Sequence, residues 1–292
     1  MLTSLISLYI ASAMELPMAP DKNPEPFNLT KLIEAQTVPV KDHHYISPII
    51  NAQSSIAVDI NTGAVLFEKN PHERLAIASI TKLMTALIIL EENKLNEIVT
   101  VSANAASTEG SRMNLSAGEE IALENLLYGI IIHSANDAAV ALAEYNAGTV
   151  DDFIKKMNEK AKDLGLINTN FSNPVGLDMP NNYSSSYDIA KLGMYIYKNQ
   201  FIRHAAGLNE LEVKSVSGKQ LHKLESTNKL LENSYLNIKG LKTGKTNLAG
   251  LCLVSIAENN NDNEILTVVL NSPDRFKETK ILVDWIFRAY NW

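Results

Sequence analysis

The sequence predicts an α+β fold: an antiparallel sheet flanked by helices, with an all-helical lobe inserted. Three observations predict it. Alternating strand patterns cluster at both ends of the globular part. A long helical middle separates them, from about 92 to 200. The chain then closes on an amphipathic helix, "RFKETKILVDWIFRAYNW". Strands from both ends of a chain assemble most simply into one sheet covered by the terminal helices, which leaves the middle as an insertion.

The elements follow in order. "SSIAVDI", the turn Asn61-Thr62-Gly63 and "AVLFEK" read as strand, turn and strand. "SITKLMTALIILEE" is apolar almost all the way round, as a buried helix is. Ser79 is a good cap or first-turn residue, so the helix is expected to start there. "LENLLYGIIIHSANDAAVALAEYNAG" has helical spacing broken around 133–137, and "VDDFIKKMNEKAKDLGL" is amphipathic with Gly165 as its stop. "FSNPVGLDMPNNYSSS" is loop and "SYDIAKLGMYIYKNQ" helix. Two hairpins come next, "ELEVKSV" with "KQLHKLES", then "LCLVSIAE" with "EILTVVLN".

Composition narrows the function. The 292 residues carry 46% apolar and 20% charged residues, so a packed core forms readily. Acidic residues outnumber basic ones 33 to 26, a net charge of -7, which argues against a nucleic-acid partner. The single cysteine, Cys252, forbids an intrachain disulfide and sits in an apolar run that suits core packing. No H-E-x-x-H or paired Cys/His set is present, so neither a metal nor a cofactor is expected.

The N-terminus, "MLTSLISLYIASAMELPMAP", has an apolar stretch followed by Ala11-Ser12-Ala13, a small-x-small cleavage pattern. A secretory signal is therefore expected over residues 1–13, although no Lys or Arg precedes the stretch. It is too short to span a bilayer, which takes about 20 apolar residues. Residues 14–48, with six prolines among polar residues, read as a linker or loosely packed arm.

Three short motifs carry chemistry. In "SITK", Lys82 lies one helical turn from Ser79 on the same face. Burial and the positive end of the helix both disfavour an ammonium there, and a neutral amine can take the serine proton. Alone, the same spacing is equally a capping serine beside a solvated lysine. "HSANDAA" puts Ser134 and Asn136 in a break between helices, where they can face a cleft or merely cap a helix. "IKGLKTGKTNLAGL" puts Lys242, Thr243 and Gly244 before a strand-rich tail, as a carboxylate site or as a surface turn. His133, beside Ser134, follows an isoleucine pair and reads as packing at a helix end.

S-x-x-K, S-x-N and K-T-G in this order resemble the motif set of β-lactamases and penicillin-binding proteins. The chain as a whole, from about Ser54 to Tyr290, resembles the serine D-alanyl-D-alanine carboxypeptidases, the low-molecular-weight penicillin-binding proteins. "TGAVLFEKNPHERLAIASITKLMTA", "LLYGIIIHSANDAAVALAEYNAG", "MNEKAKDLGLINTNFSNPVGLD" and "STNKLL" all share that likeness. The resemblance implies a β-lactamase/transpeptidase-like catalytic domain over 49–292.

It also implies roles. Ser79 is the acylated nucleophile, Lys82 its general base, and Ser134 a proton relay toward the leaving amine. Asn136 holds the substrate's peptide amide, and Lys242 and Thr243 help bind the terminal carboxylate. The backbone N–H groups of Ser79 and Lys245, next to Gly244, form the oxyanion hole, and Arg275 faces the D-alanine carboxylate. The implied substrate is a peptidoglycan pentapeptide, with β-lactams as covalent inhibitors.

Two departures stand out: Ala135 where many relatives have Gly, and Val175 where some carry a polar residue near the deacylation path. The family's β-rich domain and C-terminal amphipathic helix are not expected here, so an exported, extracytoplasmic protein is. A class A β-lactamase needs a water-activating Glu after S-x-N, and residues 160–209 contain none. A D,D-endopeptidase would use the same residues as the carboxypeptidase. A non-catalytic wall-binding or sensor protein on this scaffold is the reading from another class.

Overall fold

The structure, a computed structural model, describes residues 38–232 and 235–292. The expected signal segment and residues 14–37 of the expected arm lie outside the described residues.

The chain enters with β1 (Val40–Lys41), which pairs antiparallel with β11 (Tyr290–Asn291). Next come β2 (Ser54–Asp59) and β3 (Val65–Lys69), as the alternating pattern predicts. α1 (Lys82–Glu92) leads into the helical lobe. This holds β4 (Ile98–Thr100), α2 (Ala103–Ala106), β5 (Glu120–Ala122), α3 (Leu123–Tyr128), α4 (Asn136–Ala147), α5 (Val150–Asp163), α6 (Ser186–Tyr197) and α7 (Gln200–Ala206). The tail carries β6 (Glu210–Lys214), β7 (Leu221–Glu225), β8 (Asn237–Thr246), β9 (Gly250–Glu258), β10 (Glu264–Ser272) and α8 (Arg275–Ala289).

Strands from both ends build one five-stranded antiparallel sheet, ordered β3-β2-β10-β9-β8. Its two faces can be read from alternation along the inner strands. Ile56, Val58, Val254, Ile256, Leu266 and Val268 join the core shared with the helical lobe. Ala57, Leu253, Ala257, Ile265 and Val269 join a second core under α8, with Leu282, Val283 and Ile286. Every residue of β2 is buried because both faces of the sheet are covered. Cys252 is buried in the lobe-side core, as its apolar run predicts.

Four details correct the sequence reading. First, Ser79 does not open the α-helix. It sits in a 3₁₀ turn, Ala78–Thr81, and α1 begins at Lys82, because Ala78 takes a left-handed φ of 49° and no side chain caps the turn. Second, the lobe is not all helical, since β4 and β5 pair across it. Strands of three residues are too short to show a period of two. Third, β6 and β7 form their own ribbon outside the main sheet. Fourth, the K-T-G motif lies on the ten-residue strand β8, at the sheet edge, rather than before the strands.

Candidate active site

The turn carrying Ser79 is shaped by its neighbours. Gly176, at φ 87°, lies so close that a Cβ built there would be 1.9 Å from the Ala78 carbonyl oxygen. On another side lies Gly244 of β8, where a Cβ would come within 3.0 Å of Ala78 Cβ and 3.2 Å of the Ser79 nitrogen. Two glycines therefore let two segments press on one strained turn. The loop that supplies Gly176 is folded by Asn173, whose side-chain oxygen accepts the N–H groups of Val175, Gly176 and Leu177. Thr85 of α1 donates to the Pro174 carbonyl at 2.7 Å and pins that loop to the helix.

Lys82 is fully buried, and its amine touches three groups. Nζ lies 3.0 Å from Ser79 Oγ and donates to Asn136 Oδ1 and to the Val175 carbonyl oxygen, each at 2.7 Å. Asn136 is locked in the orientation this needs, because its Nδ2 donates to the Glu109 carbonyl at 2.6 Å and so turns Oδ1 toward the lysine. A neutral amine has two N–H donors and one lone pair. Here two acceptors take the donors and a hydroxyl remains for the lone pair. Burial, and then the nearby Lys242, hold the Lys82 amine well below the ordinary lysine range, against an opposing pull from Asp137.

Asp137 is the anchor of the same segment. Its buried carboxylate accepts the backbone N–H groups of Met113, Leu115 and Ala138. This fixes the start of α4 against the 111–115 loop, whose Ser111 carbonyl takes the Asn136 N–H at 2.7 Å. Before α4, a π-helical turn, Gly129–His133, ends in Ser134 at a left-handed φ of 62°. That turn interrupts the helical pattern and places Ser134, 5% exposed, two residues from the lysine's partner. His133 instead faces β7, with Nδ1 3.2 Å from the Glu225 carbonyl oxygen.

β8 supplies the opposite wall. Lys242 is buried, and burial followed by the charge of Arg275 lowers it to about 7. Thr243 Oγ1 lies 2.5 Å from Thr227 Oγ1, and the Thr227 N–H reaches the Ile132 carbonyl, so Thr227 ties β8 to the Ser134 turn. Arg275, the first residue of α8, donates from Nη1 to the Gly244 carbonyl at 2.6 Å. Lys245 follows Gly244 on the strand with an exposed side chain, and among the described residues its ammonium forms no ion pair.

The structure thus brings Ser79, Lys82 and Asn136 into direct contact. Ser134 lies buried two residues before Asn136, Gly244 packs against the Ser79 turn with Lys242 and Thr243 before it on β8 and Arg275 on its carbonyl, and Lys245 follows with an exposed side chain. Sequence reasoning missed Thr227, Asn173, Gly176, Asp137 and the carbonyls of Val175 and Glu109. Backbone acceptors leave no trace in residue type.

The family model for D-alanyl-D-alanine carboxypeptidases, Peptidase S11, matches residues 41–274. This chain belongs to that family. Among its relatives is D-alanyl-D-alanine carboxypeptidase DacF of Bacillus subtilis, 39% identical over 246 residues, covering 82% of this chain. DacA of Haemophilus influenzae is 35% identical over 256 residues, covering 83%. This chain spans 63% of the length of each. A D-alanyl-D-alanine endopeptidase of Pseudomonas aeruginosa is 34% identical over 203 residues, covering 69% of this chain and 65% of its own length. Among solved structures, the Streptomyces K15 DD-transpeptidase superposes with a TM-score of 0.78 at 30% identity, over 83% of this chain and 99% of its own. Penicillin-binding protein 5 of Haemophilus influenzae does so with a TM-score of 0.77 at 33% identity, over 83% and 72%. The antiparallel sheet with flanking helices is the fold of this peptidase family.

Proposed function

We propose that the chain is a serine D-alanyl-D-alanine carboxypeptidase that removes the terminal D-alanine from peptidoglycan stem peptides. One observation carries the reading: the fully buried Lys82 amine, 3.0 Å from Ser79 Oγ, has its two donors taken by Asn136 and Val175. Such an amine is a base aimed at a hydroxyl.

Ser79 Oγ attacks the carbonyl carbon of the D-Ala-D-Ala peptide bond as its proton passes to Lys82 Nζ. The oxyanion lies between the backbone N–H groups of Ser79 and Lys245. The C–N bond breaks, and the leaving amine of D-alanine takes its proton from Lys82 through Ser134. Asn136 holds the acyl-side amide, while Lys242, Thr243 and Arg275 receive the terminal carboxylate. Water then hydrolyses the ester, with Lys82 again as base. β-Lactams acylate Ser79 by the same attack.

The same reading makes residues 49–292 the catalytic domain, 14–48 an arm and 1–13 a secretory signal, with the protein acting outside the cytoplasm. A second reading, cleavage of cross-links as a D,D-endopeptidase, is favoured by the likeness to the Pseudomonas enzyme.

Incubation of the full chain with a peptide ending in D-Ala-D-Ala should release free D-alanine, and labelled penicillin should attach to wild type but not to Ser79→Ala. Penicillin labelling without D-alanine release would overturn the carboxypeptidase reading; cleavage of cross-linked muropeptides in that case would establish the endopeptidase.

A further inference from the structure

The ribbon of β6 and β7 lies outside the main sheet, yet β7 connects to two of the segments that build the active site. Past its C-terminal end the chain reaches Thr227, whose hydroxyl meets Thr243 on β8. Within β7 itself stands His222, which reaches the loop around Asn136.

His222 and Glu119 are both buried. His222 Nδ1 lies 2.9 Å from the Met113 carbonyl oxygen. A carbonyl only accepts, so this nitrogen carries a hydrogen and donates it. On the far side of the ring, Nε2 lies 2.6 Å from Glu119 Oε1. The other carboxylate oxygen, Oε2, accepts the Ser116 N–H at 3.0 Å. A carboxylate, an imidazole and a backbone carbonyl thus form one buried relay. A carboxylate on one ring nitrogen fixes the tautomer and the plane of the ring, and so aims the other nitrogen. The mechanism proposed above uses neither side chain.

What the relay holds is the wrapping of Asn136. The Glu109 carbonyl takes Asn136 Nδ2 at 2.6 Å, and the Ser111 carbonyl takes its backbone N–H at 2.7 Å. Between them, a Cβ built on Gly110 would be 2.6 Å from Nδ2. The same loop is gripped at Met113 from two directions. Its N–H goes to Asp137 Oδ1 at 3.1 Å, and its carbonyl goes to His222. An ionised Asp137 can only accept, so the carbonyl needs a donor from elsewhere, and β7 supplies it. Asn136 Oδ1 in turn takes a hydrogen from Lys82 Nζ at 2.7 Å.

We infer that His222, oriented by Glu119, is a positioning residue for the acylation of Ser79: it holds the 109–115 loop where that loop aims Asn136 at Lys82. This role rests on the reading of Ser79 as nucleophile and Lys82 as base, and adds to it a residue that touches neither.

The test follows acylation of the full chain by labelled penicillin. The amplitude of labelling counts folded molecules, and the rate constant reports how well they are arranged, so a merely structural role moves the amplitude alone. His222→Asn keeps a donor where Nδ1 stands and loses the link to Glu119, whereas His222→Gln keeps a donor toward Glu119 and loses the one to Met113. His222→Gln should slow acylation about tenfold, the scale of one hydrogen bond lost from the loop, and His222→Leu at least as much. His222→Asn should stay within about threefold of wild type, because the bond to Met113 survives. In an Asn136→Ala background the His222→Gln loss should disappear, since the side chain it acts through is gone. A wild-type rate constant in His222→Gln or His222→Leu, a His222→Asn as slow as His222→Gln, or an undiminished loss in the Asn136→Ala background would each overturn the positioning role alone. No labelling of the wild-type chain would overturn the reading of Ser79 and Lys82, and the positioning role with it.

Discussion

Changing Asn136 to Asp tests whether the neutral state of Lys82 drives acylation. The substitution keeps the shape but places a carboxylate where an amide oxygen now sits, 2.7 Å from Nζ. With an effective dielectric of about 20, two opposite charges at that separation attract by about 6 kcal/mol. Even half of this, about 3 kcal/mol, shifts the protonation equilibrium about a hundredfold toward the ammonium, since 1.4 kcal/mol is a factor of ten. The new carboxylate also loses the N–H that Asn136 gives to the Glu109 carbonyl, so its orientation loosens. The expected result is a second-order rate of penicillin acylation of Ser79 that falls by up to about a hundredfold at pH 7. It should recover by up to about tenfold per pH unit as the medium becomes alkaline. Stopped-time labelling across pH 6–10 measures both. An Asn136→Asp variant that acylates at the wild-type rate would refute the base assignment, and so would a loss that stays flat with pH.

Three further outcomes are expected. Lys242 has a folded value of about 7 against an ordinary 10.5, so between those pH values the unfolded chain holds a proton that the folded chain lacks. Stability then rises with pH across that window, by up to about 1.4 kcal/mol per pH unit from this group, and the difference in Tm–pH slope between wild type and Lys242→Leu should show it. Gly176→Ala puts a methyl 1.9 Å from the Ala78 oxygen at a φ of 87°, so it should cost at least about 1–2 kcal/mol in urea unfolding and slow penicillin acylation by moving the Ser79 turn. His222 and Glu119, 2.6 Å apart and both buried, join β7 to the 111–119 segment, with His222 Nδ1 also 2.9 Å from the Met113 carbonyl oxygen. His222→Leu leaves Glu119 Oε1 without its partner, with only Oε2 still held by the Ser116 N–H, and should cost about 1–3 kcal/mol, whereas the double variant with Glu119→Leu should cost less than the two single changes summed.

Legibility in the sequence followed the length scale of each interaction. The strands β2, β3, β9 and β10 were legible because alternation over five to nine residues reports which side chains face a core. β4 and β5 were not, at three residues each. The hairpin of β6 and β7 was visible as a hairpin, but which sheet it joins depends on the partner of its free edge, and that information lies elsewhere in the chain. The start of α1 was misplaced because Ser79 has the composition of a helix cap, while its conformation is imposed by Gly176 and Gly244, about 100 and 165 residues away.

The sequence by itself determined the chemical inventory: a serine and a lysine one turn apart, a Ser-x-Asn pair in a break between helices, and a Lys-Thr-Gly motif near the C-terminal strands. It determined too that enough apolar surface exists to bury them. Only the tertiary structure decided that Lys82 ends against the Asn136 side chain and the Val175 carbonyl, and that Thr227 bridges the Ser134 turn to β8. The reason is physical. Whether an amine is a solvated cation or a base depends on the few ångströms of medium around it. Segments distant in sequence supply that medium, much of it as backbone oxygens that every residue carries alike.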